Sequence, residues 1–367
     1  MANGINWDAL NPLVGIGVMT SAIIRGASAG TPTASARRGG LAPALVAAVA
    51  AGLQGMAVAA LLGGISAAKA ENYPTRAIRL LVGFPAGGPA DIPARAVAGK
   101  LAEAVVTPVV VENMPGAGGQ LATQDLLEQS RDGHTLLLCT YFDPVNTLLY
   151  RKARYKISDV APISLIATYD YVLATANTVP ADTVAQLIEL TRANPDRFNY
   201  GHIGIASPAN LIFKQLERLT GMKMTAVPFK GSAPAIQEVI AGRLDLYIVP
   251  PISAVQPYDA KRIKVLAATG QKRLPALPGV PTLNEAGVPI VSFAFLGVCA
   301  ASGTPEPIIR KLNHLIADIV KSADYQQLIT KLGSVPVASS PGEFQAVMDA
   351  AVRDAAPIVT EFKLQID

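Results

Sequence analysis

Histidine, cysteine, tryptophan and charge are all scarce in this chain. Its 367 residues hold three histidines, two cysteines and one tryptophan. His134, His202 and His314 stand far apart, as do Cys139 and Cys299, and none falls at metal-ligand spacing. The reading therefore includes no metal and no cofactor. Two cysteines are too few for a disulfide scaffold, and a chain this long buries enough core to need none. Only 16% of residues are charged, with a net charge of +4. That excess sits at the N-terminus: Arg25, Arg37, Arg38 and Lys69 face one acid, Asp8, and the rest holds 27 bases against 26 acids. No basic stripe remains for a nucleic acid. Phosphate-binding and nucleophile signatures are missing too. There is no G-x-x-x-x-G-K-[ST] loop, no G-x-S-x-G elbow, and no Ser-x-x-Lys with a matching second motif.

What the chain has in plenty is apolar residues, half of the total. That excludes disorder, and the length suggests about two domains. Residues 1–70 stand apart. Residues 41–68 carry no charge, follow the pair Arg37-Arg38, and lead into Ala68-Lys69-Ala70. A basic region, an apolar run and a small-x-small site describe a secretory signal peptide, here with an upstream extension and cleavage after Ala70. The run is long for a signal peptide, so an uncleaved membrane anchor is the alternative. The only tryptophan, Trp7, lies in the segment expected to be lost. Export leaves Cys139 and Cys299 free to pair, but both sit in apolar runs where buried thiols fit as well.

From Ile78 onward short apolar runs alternate with amphipathic stretches. Strands are expected at 78–84, 108–111, 135–140, 162–167, 171–176, 198–200, 225–229, 244–249, 264–268 and 291–300. Helices are expected at 92–105, 120–129, 183–192, 208–219 and 232–242, with others opening at Pro305 and at Ser340, the latter through a capping box. This alternation predicts an α/β fold of βαβ units with mostly parallel sheets, whose ligands sit at the carboxyl ends of strands.

Three strand-to-helix junctions carry the informative residues. Phe84-Pro85-Ala86-Gly87-Gly88-Pro89-Ala90-Asp91 is rich in glycine, which lets backbone approach a ligand. The helix that follows offers free N–H groups to an anion, with Asp91 as its cap. The second, Gly116-Ala117-Gly118-Gly119, does not complete a dinucleotide fingerprint, because Leu121 stands where the last glycine belongs. The third, Tyr200 to Ser207, brings Ser207 as an N-cap and His202 as a loop histidine with no adjoining triad partner. Asp245 is an acid inside an apolar run, a position where acids are paired or functional.

Together, strand–FPAGG–x–x–D–helix, VVVENMPGAGG, DGHTLLL, NYG, PFKG, Gly242-Arg243-Leu244-Asp245, LPGVPTLNEAGVP, GTP and SPGEF resemble the Bordetella uptake gene family. These are the extracytoplasmic solute receptors of tripartite tricarboxylate transporters. The resemblance spans nearly all of residues 72–367. It implies a two-lobed periplasmic binding protein of type II (Venus-flytrap) form, with residues 72–172 plus 292–367 as lobe 1 and 173–291 as lobe 2. It also implies a small carboxylate ligand (dicarboxylate, amino acid or aromatic acid), integral membrane permease subunits as partners, no nucleic acid, a monomer, and no enzymatic activity. Phe84, the amides of Ala86, Gly87 and Gly88, and Asp91 match the family's first ligand loop. Thr140 matches its small hydroxyl residue, and Ser207 and Asp245 match its second-lobe positions. Four positions depart from the pattern: Ala90 for Thr, His202 for Ser, Asn210 for His and Phe295 for Trp. The imidazole at His202 suggests a different or larger ligand. The alternatives are a sensor feeding a signalling partner and a hydrolase using Ser207 and His202.

Overall fold

The computed structural model describes residues 72–365 apart from 152 and 206. The expected signal peptide and its cleavage site lie outside the described residues. Among those described, no helix is long and apolar enough to cross a membrane.

Strand β1 (Ile78–Val82) is buried almost end to end, as its apolar sequence requires, and forms the parallel heart of a six-stranded sheet. It pairs in parallel with β2 (Val109–Asn113) and β3 (Thr135–Thr140). Strands β4 (Val160–Asp170), β10 (Phe293–Ala301) and β11 (Val335–Pro336) complete the sheet in antiparallel register, giving the order β11-β4-β10-β3-β1-β2. A five-stranded sheet of order β7-β6-β8-β5-β9 is built the same way. Here β6 (Asn199–His202), β7 (Thr225–Pro228) and β8 (Leu246–Val249) are parallel, while β5 (Val172–Ala176) runs antiparallel to β8 and to β9 (Ile263–Ala268). The sheets are thus mixed rather than mostly parallel. Their parallel trios come from βαβ units. The strands that carry the chain from one sheet to the other, β4–β5 and β9–β10, supply the antiparallel pairs.

Helices cover both sheets. Each strand of the first trio is followed by one: α1 (Asp91–Val105), α2 (Gln120–Glu128) and α3 (Phe142–Leu149). Helix α4 (Val184–Ala193) precedes β6, and each strand of the second trio is again followed by a helix: α5 (Pro208–Thr220), α6 (Ser232–Ile240) and α7 (Pro251–Asp259). Helices α8 (Glu306–Lys321), α9 (Ala323–Lys331) and α10 (Pro341–Glu361) return to the first sheet. On α8, Ile308, Ile309, Leu312, Ile316 and Ile319 are buried at helical spacing, which fixes the face it presents. The capping box predicted at Ser340 forms with Glu343. Pro305, read as the first helical residue, is instead the N-cap of α8.

Two features tie the molecule together. Cys139 on β3 and Cys299 on β10 form a disulfide, closing the question that composition left open. The bridge spans 160 positions of sequence and encloses the whole five-stranded sheet. Chain-entropy reasoning gives such a loop a contribution of up to about 5 kcal/mol. The second feature is Thr269, which joins the two crossing segments. It accepts from the Tyr171 amide through Oγ1 at 2.8 Å and donates through Oγ1 to the Ser292 carbonyl at 2.6 Å. Its own amide donates to the Tyr171 carbonyl, and its carbonyl accepts from the Ser292 amide.

At the same crossing, the Asp170 carboxylate packs against Gly270, where any Cβ would lie 1.9 Å from Oδ2. It has no hydrogen-bond or ion-pair partner among the described residues. Burial raises its pKa from 3.8 to about 6. The folded state therefore holds the proton more tightly than the unfolded chain. The stability this confers is complete below about pH 4 and is lost as pH rises through 6. Asp170→Asn is expected to stabilise the protein at pH 7.5 by on the order of 1–2 kcal/mol. Its advantage should vanish at pH 4, as thermal unfolding of both proteins across that range would show. An advantage independent of pH would contradict this account of Asp170.

Candidate ligand-binding site

The carboxyl ends of both parallel trios open onto one cavity of about 930 Å³. The βα turns on each sheet form its walls. The N-cap residues of six helices all line it: Ala90 of α1, Gly119 of α2, Tyr141 of α3, Ser207 of α5, Gly231 of α6 and Pro250 of α7. Each helix start carries partial positive charge, so six such ends act on one volume. Lys230 supplies the only charged side chain among the described lining residues, and it is exposed at the rim.

The first glycine turn is shaped by Asp91. This carboxylate is buried at 2% exposure and accepts from the Gly87 amide at 2.8 Å, Arg95 Nε at 2.8 Å and Asn113 Nδ2 at 2.8 Å. Burial pushes its pKa up. The bonds from Arg95, Gly87 and Asn113 together outweigh that and hold the group below its usual value. Gly87 takes a positive φ of 75°, which glycine adopts without strain. Asn113 also donates to the Phe84 carbonyl at 3.0 Å, so one side chain from β2 ties down both ends of the turn. The two glycine loops touch directly: a Cβ on Gly83 would lie 2.6 Å from the Gly119 Cα.

This geometry changes several expectations. Asp91 is not a side-chain cap and does not line the cavity; it is the first residue of α1 and buttresses the turn. The Gly87 amide is taken by Asp91. The amides of Ala86 and Gly88, both in the cavity wall, make no hydrogen bond of ordinary geometry to any described residue. Nor does the start of α1 offer free N–H groups. Asp91 and Ile92 donate to the Gly88 carbonyl, Pro93 has no N–H, and Ala94 donates to the Ala90 carbonyl. What α1 offers the cavity is its dipole.

Thr140 lines the cavity, but its hydroxyl is occupied, donating to Asp143 and accepting from the Phe142 amide. Asp143 itself is buried. Its pKa rises to about 6 because burial outweighs the bonds from Thr140 and Thr123. Ser207 lines the opposite wall and caps α5, its Oγ accepting from the Asn210 amide at 3.3 Å.

His202 and Asp245 lie elsewhere. His202 is buried behind the wall at the end of β6, with Nδ1 accepting from the Gly204 amide. Burial lowers its pKa, so the ring is neutral at neutral pH. Asp245 precedes β8, at the amino end of this central strand, opposite the carboxyl end that opens onto the cavity. There it accepts from the Asn199 amide at 2.9 Å and its own amide donates to the Asn199 side chain. That pairing locks β6 beside β8. Among the described residues no hydrogen bond joins Ser207 to His202, so the geometry of a nucleophile and its base is missing. Two of the four departures also point away from a ligand. Asn210 Oδ1 accepts from the Tyr200 hydroxyl, and Phe295 packs on Phe344. Neither lines the cavity.

The structure adds residues that loop motifs did not show. Tyr169 and Tyr171 flank Asp170 on β4 and at the crossing, and Tyr247 ends its ring at Ser232, donating to Oγ at 3.1 Å. Burial pushes the phenols of Tyr169 and Tyr247 up to about 12, so both stay neutral. Tyr169 stands near the end of β4 and Tyr171 between β4 and β5, where their rings pack edge-to-face at 5.4 Å.

If Asp91 shapes the turn, Asp91→Ala should free the Gly87 amide. Its hydrogen exchange is expected to quicken at least tenfold, read by NMR, with unfolding free energy falling by about 1–3 kcal/mol. Unchanged exchange at Gly87 would contradict the buttress.

Comparison with known proteins agrees with this architecture. The family model described as tripartite tricarboxylate transporter family receptor matches residues 93–364. BugT of Bordetella pertussis is 30% identical over 303 residues, covering 81% of this chain and 93% of that protein. The solved structure of R. palustris Rpa4515 with adipate is 31% identical, with a TM-score of 0.74, covering 78% of this chain and 97% of that one. MatC (Rpa3494) from Rhodopseudomonas palustris with bound malate is 28% identical, with a TM-score of 0.73, covering 78% and 100%. The chain therefore belongs to the tripartite tricarboxylate transporter family receptors, the Bordetella uptake gene proteins of two-lobed periplasmic-binding-protein fold.

Proposed function

We infer that this receptor captures a small carboxylate between its two sheets and presents it to the membrane permease subunits of a tripartite tricarboxylate-type transporter. The observation that carries the reading is electrostatic. Six helix N-termini converge on one cavity whose described wall has a single lysine and no acid. Such a volume favours an anion of modest charge. The turn from Phe84 to Gly88, with its Ala86 and Gly88 amides, is the anchor for the carboxylate, and Ser207 faces it from the other sheet. Asp91 acts on the ligand through Gly87 and the turn rather than by contact. The adipate and malate bound by the two related structures are carboxylates too.

Residues 72–172 with 292–367 form one lobe and 173–291 the other, hinged at the two segments that Thr269 joins. Closure of the lobes excludes water from the anchor, where charge-assisted hydrogen bonds are strongest, and the ligand selects the closed state. The mature protein is a periplasmic monomer beginning near Glu71, after removal of the signal peptide. Its role is binding and not catalysis; no hydrogen bond joins Ser207 to His202 among the described residues.

The test is a dye-based thermal-shift screen of the exported protein, unfolded and refolded to strip any carried-over ligand. Small carboxylates are compared with their amides. At 100 times its Kd a ligand adds about 2.7 kcal/mol, which at roughly 2–4 °C per kcal/mol is a shift of several degrees. At least one carboxylate should give that shift and its amide should not. A refolded protein that no carboxylate shifts would overturn the reading.

A further inference from the structure

Resting on the hinge reading and not on the ligand's identity, we propose that the contact between Asp170 and Gly270 ties lobe closure to protonation. A neutral Asp170 favours the arrangement in which both walls form one cavity, and an ionised Asp170 favours a more open one. The contact lies across the hinge. Asp170 is the last residue of β4, in lobe 1, and pairs in register with Phe293 of β10. Gly270 follows Thr269 on the returning segment, in lobe 2. The carboxylate fills the space that a side chain at Gly270 would take. A Cβ there would lie 1.9 Å from Oδ2, 2.4 Å from Cγ and 3.0 Å from Oδ1. Only glycine leaves room for this approach. Bending the lobes apart at the crossing separates the two residues and lets water reach the carboxylate.

Among the described residues nothing around this carboxylate answers its charge. Thr269 has its hydroxyl, amide and carbonyl all engaged with Tyr171 and Ser292. On β10, Phe293 pairs with Asp170 and Ala294 with Tyr169, and neither titrates. On its own segment the neighbours are the phenols of Tyr169 and Tyr171, with those of Tyr141 and Tyr247 beyond them, and burial keeps all four neutral. Past Gly270, Lys272 and Arg273 are exposed; Arg273 pairs with Glu285, and neither base forms an ion pair with Asp170. Burial is what raises the pKa of Asp170 from 3.8 to about 6. An ionised carboxylate without a donor is costly where water is excluded. Ionisation therefore favours the arrangement that rehydrates it.

The direction of the effect follows from linkage. Asp170 holds its proton more tightly in the described arrangement than it would in water, so the preference for that arrangement is complete below about pH 4 and is lost as pH rises through 6. With the ordinary value of 3.8 in the open form, going from pH 8 to pH 5 raises the closed-to-open ratio about tenfold. Coupling is reciprocal: a ligand that selects the closed form makes the receptor take up part of a proton. Tyr169 and Tyr171, on either side of Asp170, line the cavity, so the element adjoins the ligand space. Two other buried groups that titrate near neutrality do not span the hinge. Asp143 binds Thr123 and Thr140 within lobe 1, and His202 binds the Gly204 amide within lobe 2.

Double electron–electron resonance between spin labels at Leu121→Cys on α2 and Gln237→Cys on α6 reads the separation of the lobes. Both positions are exposed, and Cys139 and Cys299 are joined to each other, so the labels go to the new thiols. In the refolded, ligand-free protein the short-distance population should gain on the long one about tenfold from pH 8 to pH 5, the change beginning near pH 6. Asp170→Asn should hold the short distance at both pH values. Gly270→Ala, which displaces the carboxylate, should abolish the pH response. A pH response that persists unchanged in Asp170→Asn, or none when Asp170 is present, would overturn the proposal; shortening of the distance by malate, adipate or benzoate in that same protein would leave the hinge reading standing. A distance that neither pH, nor Gly270→Ala, nor any of these acids alters would overturn the hinge reading as well.

Discussion

The arrangement depends on one desolvated carboxylate. Asp91 is buried at the start of α1 and draws in the Gly87 amide, Arg95 and Asn113. A buried charge must be answered by hydrogen bonds or it destabilises the fold. Answering it bends the chain from Phe84 to Gly88 into a fixed turn. The same Asn113 binds the Phe84 carbonyl, so the turn is clamped from the neighbouring strand. The amides of Ala86 and Gly88, on either side of Gly87, make no hydrogen bond of ordinary geometry to a described residue. A loop rich in glycine would otherwise sample many conformations. Here a carboxylate that does not line the cavity ties the turn in place.

Around that anchor the fold builds an electrostatic environment with almost no charged side chains. Parallel strands point their carboxyl ends the same way, and the helices that follow begin there. Two parallel trios facing each other bring six helix starts to one cavity. In the proposed receptor this field holds an anion without a guanidinium, and closure strengthens it by excluding water. The crossing strands set the other constraint. Thr269 binds the backbone of both segments. Asp170 sits in that crossing without a partner among the described residues, its carboxylate against the bare backbone of Gly270.

Much of the fold was legible in the sequence, because apolar runs and amphipathic periods alternate without interruption. β3 and the Ser340 capping box lie where the residues place them. Three helices escaped. The stretches at α3 and α7 begin or break with proline, and α9 follows α8 after a single residue, Ser322, so no boundary signal separates them. The disulfide was open from composition alone and depended on the pairing of β3 with β10, a long-range contact. Phe84, Ala86, Gly87, Gly88 and Ser207, expected from their loops, and Thr140, expected from the family resemblance, all line the cavity. Asp245 and His202 do not line it. Asp245 was read as an acid in an apolar run and His202 as a residue of a strand-to-helix junction; each accepts from a nearby backbone amide. Tyr171 and Tyr247 were passed over because residues in expected strands read as core, and Tyr169 because it falls between two of them.

The central claim is that a carboxylate meets the turn through the amides on either side of Gly87. Nitrogen-15 NMR titration of the refolded protein with a saturating carboxylate tests it at single atoms. The account predicts large shifts at the Ala86 and Gly88 amides and a smaller one at Gly87, whose N–H stays with Asp91. A titration that moves Gly87 most, or leaves all three unmoved while the protein binds its ligand, would contradict it.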